Sequence, residues 1–268
     1  MKLGMIAPKQ ESSFRTAAEW KLDFLEFTFN VNRQNPSDYT ETDEFVASAE
    51  TIKGWSEQYG IGIGSIGRWG HDRLDADGGI IEAELHKCFE LIDATSELGC
   101  GHFVTGCNRV EGMSFLDNCS AAVNYFGRLI DYAAPKGVRV CAYNCGWNNF
   151  VDNAESWTAV LGQLPRLGIK YDPSHSRYAG RDYLKEMRDF GSRFHHVHIK
   201  GSLLIDGKRF DDPPAGLDQT DWGSFMAVLY ASGYDGGLSI EPHSSTWKGE
   251  LGDRGIQYTI RHMRNLML

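Results

Sequence analysis

Short apolar runs alternate along the chain with longer segments whose apolar residues recur every three or four positions. The runs read as strands: Lys2 to Ala7, Asp23 to Phe29, Ile61 to Ile66, His102 to Thr105, Val138 to Asn144, and three more ending at Asp172, His198 and Glu241. The segments between them read as helices. Ser13 to Trp20 stands behind a serine cap, and Phe45, Ala49, Ile52 and Trp55 place one helix over Glu41 to Tyr59. Ile81, Leu85, Cys88 and Ile92 mark a helix that stops near Gly99, and Phe126, Leu129, Ile130 and Ala133 form one side of a helix over Phe115 to Pro135. Trp157, Val160, Leu161 and Leu164 continue the series, followed by Tyr183, Met187 and Phe190. Asp221 is placed to cap the helix bearing Phe225, Val228 and Leu229, and Ile256, Ile260 and Met263 mark the closing helix. A long connection from Gly201 to Thr220 interrupts the rhythm.

Eight strand–helix units in 268 residues match the size and rhythm of a (β/α)8 TIM barrel, a single α/β domain over residues 1–268. An open doubly wound sheet would carry a G-x-G-x-x-G turn after a strand, and Gly60, Gly62 and Gly64 lack that spacing. Composition changes this picture only by exclusion. A net charge of -9, with no run of Lys or Arg longer than two, argues against nucleic acid and anionic membranes as partners. No stretch approaches the roughly 18 apolar residues of a membrane span, and the N-terminal run is too short for a secretory signal. The six cysteines show no C-x-x-C spacing and read as buried thiols of a cytoplasmic protein.

The candidate chemistry lies between Ile169 and Glu241, where successive strands end on Asp172, His198 and Glu241. In a barrel, strand ends share one mouth, so these residues bring two carboxylates and an imidazole together as ligands for a divalent ion. Strand parity turns Ser239 and Glu241 toward one face, and His196, His198 and Lys200 likewise. Taken one at a time, Asp172 reads as a helix cap and His198 as a core histidine.

The stretches Tyr171-Asp172-Pro173-Ser174-His175, His196-Val197-His198-Ile199-Lys200, Asp221-Trp222 and Gly233 to Glu241 resemble the xylose isomerase-like TIM-barrel superfamily, which includes sugar epimerases of the tagatose 3-epimerase kind. The resemblance is specific over 138–241 and architectural over the first half. It implies a divalent ion (Mn, Mg, Co or Zn) held by Glu, Asp, His and Glu, the last three falling on Asp172, His198 and Glu241, with His175 beside the metal and touching substrate. The chain departs at the first position, where Tyr143-Asn144 stands in place of Glu-Asn. A neutral phenol is a poor ligand for a hard ion, so the ion is expected to be held more weakly, or to be absent.

The expected activity is metal-assisted isomerisation or epimerisation of a keto-sugar or related polyol, with Glu241 exchanging the α-proton and His175 or Tyr143 donating one. Lys200, Asn144, Arg209, Trp69, His71, Glu26 and Trp147 are the candidate substrate contacts, with Arg68, Asn108 and His243 also placed at strand ends. A lyase or dehydratase acting on an inosose or keto-glycoside begins with the same proton removal. An endonuclease IV-like enzyme would match at Asp211 but has Pro213 where the next histidine belongs. A non-catalytic sugar-binding barrel is consistent with the loss of a ligand at Tyr143. The resemblance also implies a homodimer or tetramer.

Overall fold

Strand alternation decides the architecture of the computed structural model, which describes all of residues 1–268. The barrel strands are β1 (Lys2–Ile6), β2 (Phe24–Asn30), β3 (Gly62–Trp69), β4 (His102–Thr105), β5 (Arg139–Tyr143), β6 (Gly168–Tyr171) and β7 (Phe194–Ile199). A hairpin of β8 (Leu203–Ile205) and β9 (Lys208–Asp211) follows, and β10 (Gly237–Ile240) is the eighth barrel strand. Every barrel pairing is parallel, and β10 closes the ring on β1 with Lys2 opposite Gly237 and Met5 opposite Ile240. The architecture is a (β/α)8 TIM barrel.

Outward-facing strand residues carry the apolar core. Phe27 and Phe29 of β2 pack against Phe14 and Phe45 of the surrounding helices, with the Phe29 and Phe45 rings 4.8 Å apart. The helix Phe115–Ala133 buries Cys119, Ala122, Tyr125, Phe126, Leu129 and Ile130 on one side, and the Ser114 hydroxyl caps it by accepting from the Asp117 N–H. Inside the barrel the floor is a single ring. Phe24 lies so close to β1 and β3 that a Cβ at Gly4 or Gly64 would fall 2.4 or 2.3 Å from its side chain. Above that plug the inner face turns polar, with Glu26, Lys170, His196, His198 and Ser239 all buried.

Three expected boundaries move. The helix expected over Glu41 to Tyr59 is two helices, Thr40–Ala47 and Ala49–Tyr59. The Ser48 hydroxyl donates to the Glu44 carbonyl at 2.7 Å, and such local bonding competes with the helical ladder. β3 runs on through Arg68 and Trp69 because β2 continues to Asn30 as its partner. It stops at Gly70, whose φ of 75° and contact with Trp147 only glycine accommodates: a Cβ there would lie 2.5 Å from the indole. The connection after β7 contains the β8–β9 hairpin, turned by Asp206 and Gly207, both at positive φ. All six cysteines are free thiols, and burial pushes Cys100 and Cys141 up to about 12. No helix is long and apolar enough to cross a membrane.

Candidate active site

β7 supplies the axis of the site. His196 and His198, two residues apart, face the barrel interior, where Glu26 of β2 meets both. Glu26 Oε2 lies 2.7 Å from His196 Nε2, and both Glu26 oxygens lie 2.9 Å from His198 Nε2. Burial alone would raise the Glu26 pKa. The charges of His198 and His196 and their hydrogen bonds outweigh it and hold the carboxyl well below its usual range. Burial lowers His198 as well, but Glu26 and Glu241 more than compensate, so its pKa is raised, whereas His196 stays lowered.

Asp172 follows β6, and Asn144 clamps its backbone. The Asn144 Nδ2 group donates to the Asp172 carbonyl at 2.8 Å, and the Asp172 N–H donates to Asn144 Oδ1 at 2.8 Å. Asp172 then divides its carboxylate between two tasks. Oδ1 accepts the Ser174 N–H at 2.9 Å and caps the helix Pro173–Tyr178, while Oδ2 faces the site, buried and without a hydrogen bond. Glu241 follows β10, its Oε2 2.7 Å from His198 Nδ1. Lys200 Nζ sits 3.0 Å from Asp172 Oδ2, paired by charge though not aligned for a hydrogen bond, and 3.3 Å from Glu241 Oε1. It also lies 3.2 Å from His175 Nε2. Burial works against the charges of Asp172, Glu241 and Lys200, and their mutual attraction wins: both carboxyls are lowered and the ammonium is raised. His175 is pushed down to about 3, by burial first and by Lys200 second, and so is neutral.

Ligand atoms of Asp172, His198 and Glu241 lie within 4.8 Å of one another. Three features fit a divalent cation: Asp172 Oδ2, buried without a hydrogen bond and already facing the Lys200 ammonium, the hard-to-borderline donor set, and a carboxylate behind His198 Nε2 that leaves Nδ1 toward the cage. Tyr143 adds no fourth ligand. Its hydroxyl donates to the Trp147 carbonyl at 3.0 Å, its ring stacks 4.1 Å from Trp69, and burial raises its pKa far above the ordinary phenol value. The residues present could therefore offer three ligands to such an ion and leave its other positions open.

A cavity of about 410 Å³ opens over this cage, lined by Trp69, Trp147, Lys170, His175, Lys200 and Glu241, with Arg33, Arg209 and His243 toward the rim. The volume suits a monosaccharide-sized ligand. Of the cage carboxylates only Glu241 lines the cavity, its side chain 17% exposed against 0% for Asp172.

Several expected contacts fall elsewhere. His71 does not line the cavity: it is buried with Arg68 and Glu84 between β3 and the helix Glu82–Glu97, because Arg68 points outward from the barrel. Asn108 is also outside, holding the Arg73 and Leu74 N–H groups. Glu26 lies in mid-strand behind the histidines and Asn144 is engaged by the Asp172 backbone, so both support the cage from behind and do not line the cavity. Arg209 pairs with Asp212, which His243 also reaches at 3.0 Å. The Asp211 carboxylate accepts from the Ser244 hydroxyl. Two site residues went unread in the sequence. Lys170 was hidden within a short strand, although its parity with Asp172 points it inward. Asp212, buried beneath Arg209 and Tyr178, follows a hairpin whose Asp-Gly turn was legible.

A closed parallel barrel with two carboxylates and an imidazole gathered at the carboxyl ends of its strands, beside a small-molecule-sized cavity, defines the class of protein. Within that class the chain belongs to the xylose isomerase-like TIM barrel family, whose model matches residues 14–266. It is 29% identical to the uncharacterised protein YfiH of Bacillus subtilis (strain 168) over 50% of this chain and 49% of that one. It is 27% identical to the L-ribulose 3-epimerase of Methylomonas sp. (strain DH-1) over 68% of this chain and 61% of the relative, so it spans about half to three-fifths of these relatives. The crystal structure of D-allulose 3-epimerase from Methylomonas sp. in complex with D-allulose superposes with a TM-score of 0.77 at 17% identity, covering 100% of this chain and 97% of that one.

Proposed function

We propose that the protein is a sugar isomerase or epimerase that moves a proton on the carbon next to a substrate carbonyl. The observation that carries this reading is the position of Glu241, the cage carboxylate that opens onto the cavity, with Lys200 3.3 Å away. A divalent ion held by Asp172, His198 and Glu241 would supply positive charge beside the substrate carbonyl oxygen. Glu241 takes the α-proton, and its low pKa keeps it ionised for that step. Lys200 Nζ offers its hydrogens to the oxygen that gains charge as the enediolate forms. His175, neutral and 3.2 Å from Lys200, is placed to relay a proton between the two substrate oxygens. Trp69 and Trp147 line the cavity as flat apolar surfaces for a sugar ring and help exclude water.

Epimerisation needs a second base on the opposite face of the carbon. Tyr143 does not offer one, since its hydroxyl is held by the Trp147 carbonyl. The arrangement favours one carboxylate taking a proton from one carbon and returning it to the next, an aldose–ketose isomerisation. Incubation with ketoses and aldoses in D2O, followed by proton NMR, is expected to show deuterium entering the carbon beside the carbonyl. Glu241→Gln is expected to lower the rate by at least about a hundredfold. Absence of both deuterium incorporation and any isomerised product across the sugars tested, or a rate unchanged in Glu241→Gln, rules the reading out. Loss of a hydroxyl to give an unsaturated product would make the enzyme a lyase instead.

A further inference from the structure

The Lys170 amine is buried with no hydrogen-bond acceptor and no ion pair. The side chain projects from β6 on the same face as Asp172, and its Nζ lies 5.1 Å over the Trp69 ring. Lys200, one strand away, is by contrast held between Asp172 and Glu241. Buried polar groups are almost always hydrogen-bonded, so an amine held there without one has an unmet demand for an acceptor. That demand faces the cavity, because Lys170 is among its lining residues.

The charge balance of the mouth points the same way. Glu26, Asp172 and Glu241 face Lys170 and Lys200, so with neutral histidines a divalent ion leaves one positive charge in surplus. Toward the rim, Arg33 lies 5.2 Å over the Trp147 ring, while Arg209, which lines the same cavity, is already paired with Asp212. Glu241 is the sole carboxylate among the lining residues, in a chain whose net charge is -9. A neutral sugar leaves Lys170 unsatisfied, whereas an anionic one satisfies it and neutralises the surplus.

We propose that the substrate is an anionic sugar derivative, carrying a carboxylate or phosphate, and that Lys170 is the specificity-determining residue that receives its anionic oxygens. This rests on the isomerase reading of the same site and adds the substrate class to it. The anionic group lies near the reacting carbon, since Lys170 and Glu241 line one cavity.

Binding tests this independently of turnover. The Mn2+-loaded protein, with Mn2+ in excess, is titrated calorimetrically and by thermal shift with D-gluconate, with D-sorbitol as its uncharged counterpart, and with D-sorbitol 6-phosphate. One of the two anions is expected to raise Tm by about 3 °C and to bind at least about tenfold more tightly than sorbitol. The anion that does so identifies carboxylate or phosphate as the group recognised. Lys170→Met is expected to erase that preference while the unliganded Tm stays level or rises, because the unpaired amine is gone. Sorbitol binding as well as both anions in the wild-type protein overturns the proposal even if the variant fails to fold. So does a folded Lys170→Met that keeps the anion preference within about twofold. Proton exchange on neutral ketoses without anion preference removes this inference and leaves the isomerase reading standing, and the converse result removes only the reaction.

Discussion

Glu26 shows how much of the site depends on a residue that never reaches the cavity. Both of its oxygens lie 2.9 Å from His198 Nε2, which fixes the ring and directs Nδ1 toward Asp172 and Glu241. A carboxylate behind a metal-binding histidine typically contributes a factor of about 10–100 in ion affinity. Glu26→Gln keeps the size and removes the charge, so Mn2+ affinity measured by calorimetry is expected to fall by about that factor with little change in fold. An unchanged Kd would show that Glu26 serves packing alone. Asp172, His198 and Glu241 were legible because each stands at a strand end, where a short apolar run gives way to a turn. Glu26 drew notice but with the wrong job, since four further strand residues follow it to Asn30. Lys170 was not legible because a lysine inside a four-residue strand gives no apolar signal, even though its parity with Asp172 turns it inward.

Among the elements, β3 and the helix Glu82–Glu97 are joined by a buried ionic network. Glu84 Oε2 lies 2.9 Å from Arg68 Nη2 and 2.7 Å from Arg73 Nη1, and Oε1 lies 3.2 Å from His71 Nδ1. Burial raises the Glu84 pKa, but His71, Arg73 and Arg68 outweigh it and bring it from 4.5 to about 2. A carboxyl depressed in the folded state stabilises the protein fully above its unfolded pKa, and that contribution is lost as pH falls from 4.5 through about 2. The shift is worth about 3 kcal/mol. Glu84→Ala leaves two buried guanidinium groups unpaired and is expected to cost about 3–5 kcal/mol at pH 7 in urea unfolding, with a gap to wild type that narrows toward pH 2.5. Equal midpoints at pH 7 would mean the network adds nothing. None of these pairings could be read in the sequence, since Arg68 and His71 sit at a strand end and look like mouth residues. The division at Ser48 was equally hidden, because the apolar spacing of Phe45, Ala49 and Ile52 runs straight through it. The β8–β9 hairpin did leave a sign in Asp206-Gly207, a pair suited to a tight turn.

At the scale of the whole molecule, the barrel was legible from the count of strand–helix units, because length and rhythm bound that fold tightly. Closure itself, β10 on β1, brings Glu26 from the second strand against His198 from the seventh and so backs the cage that β6, β7 and β10 form side by side. The charge distribution is likewise a property of the folded chain. Overall charge is -9, yet the cavity is lined by Lys170 and Arg33 as well as by Lys200 and Arg209, which Asp172, Glu241 and Asp212 already pair. Composition reports only the first of these facts. The account rests on a cation held at that cage, and crystals grown with Mn2+ and measured for anomalous scattering test it directly. The expected result is a peak about 2.1 Å from Asp172 Oδ2, His198 Nδ1 and a Glu241 oxygen, with Lys200 displaced from between the carboxylates. A map with no peak there, and with Lys200 still bridging Asp172 and Glu241, would contradict it.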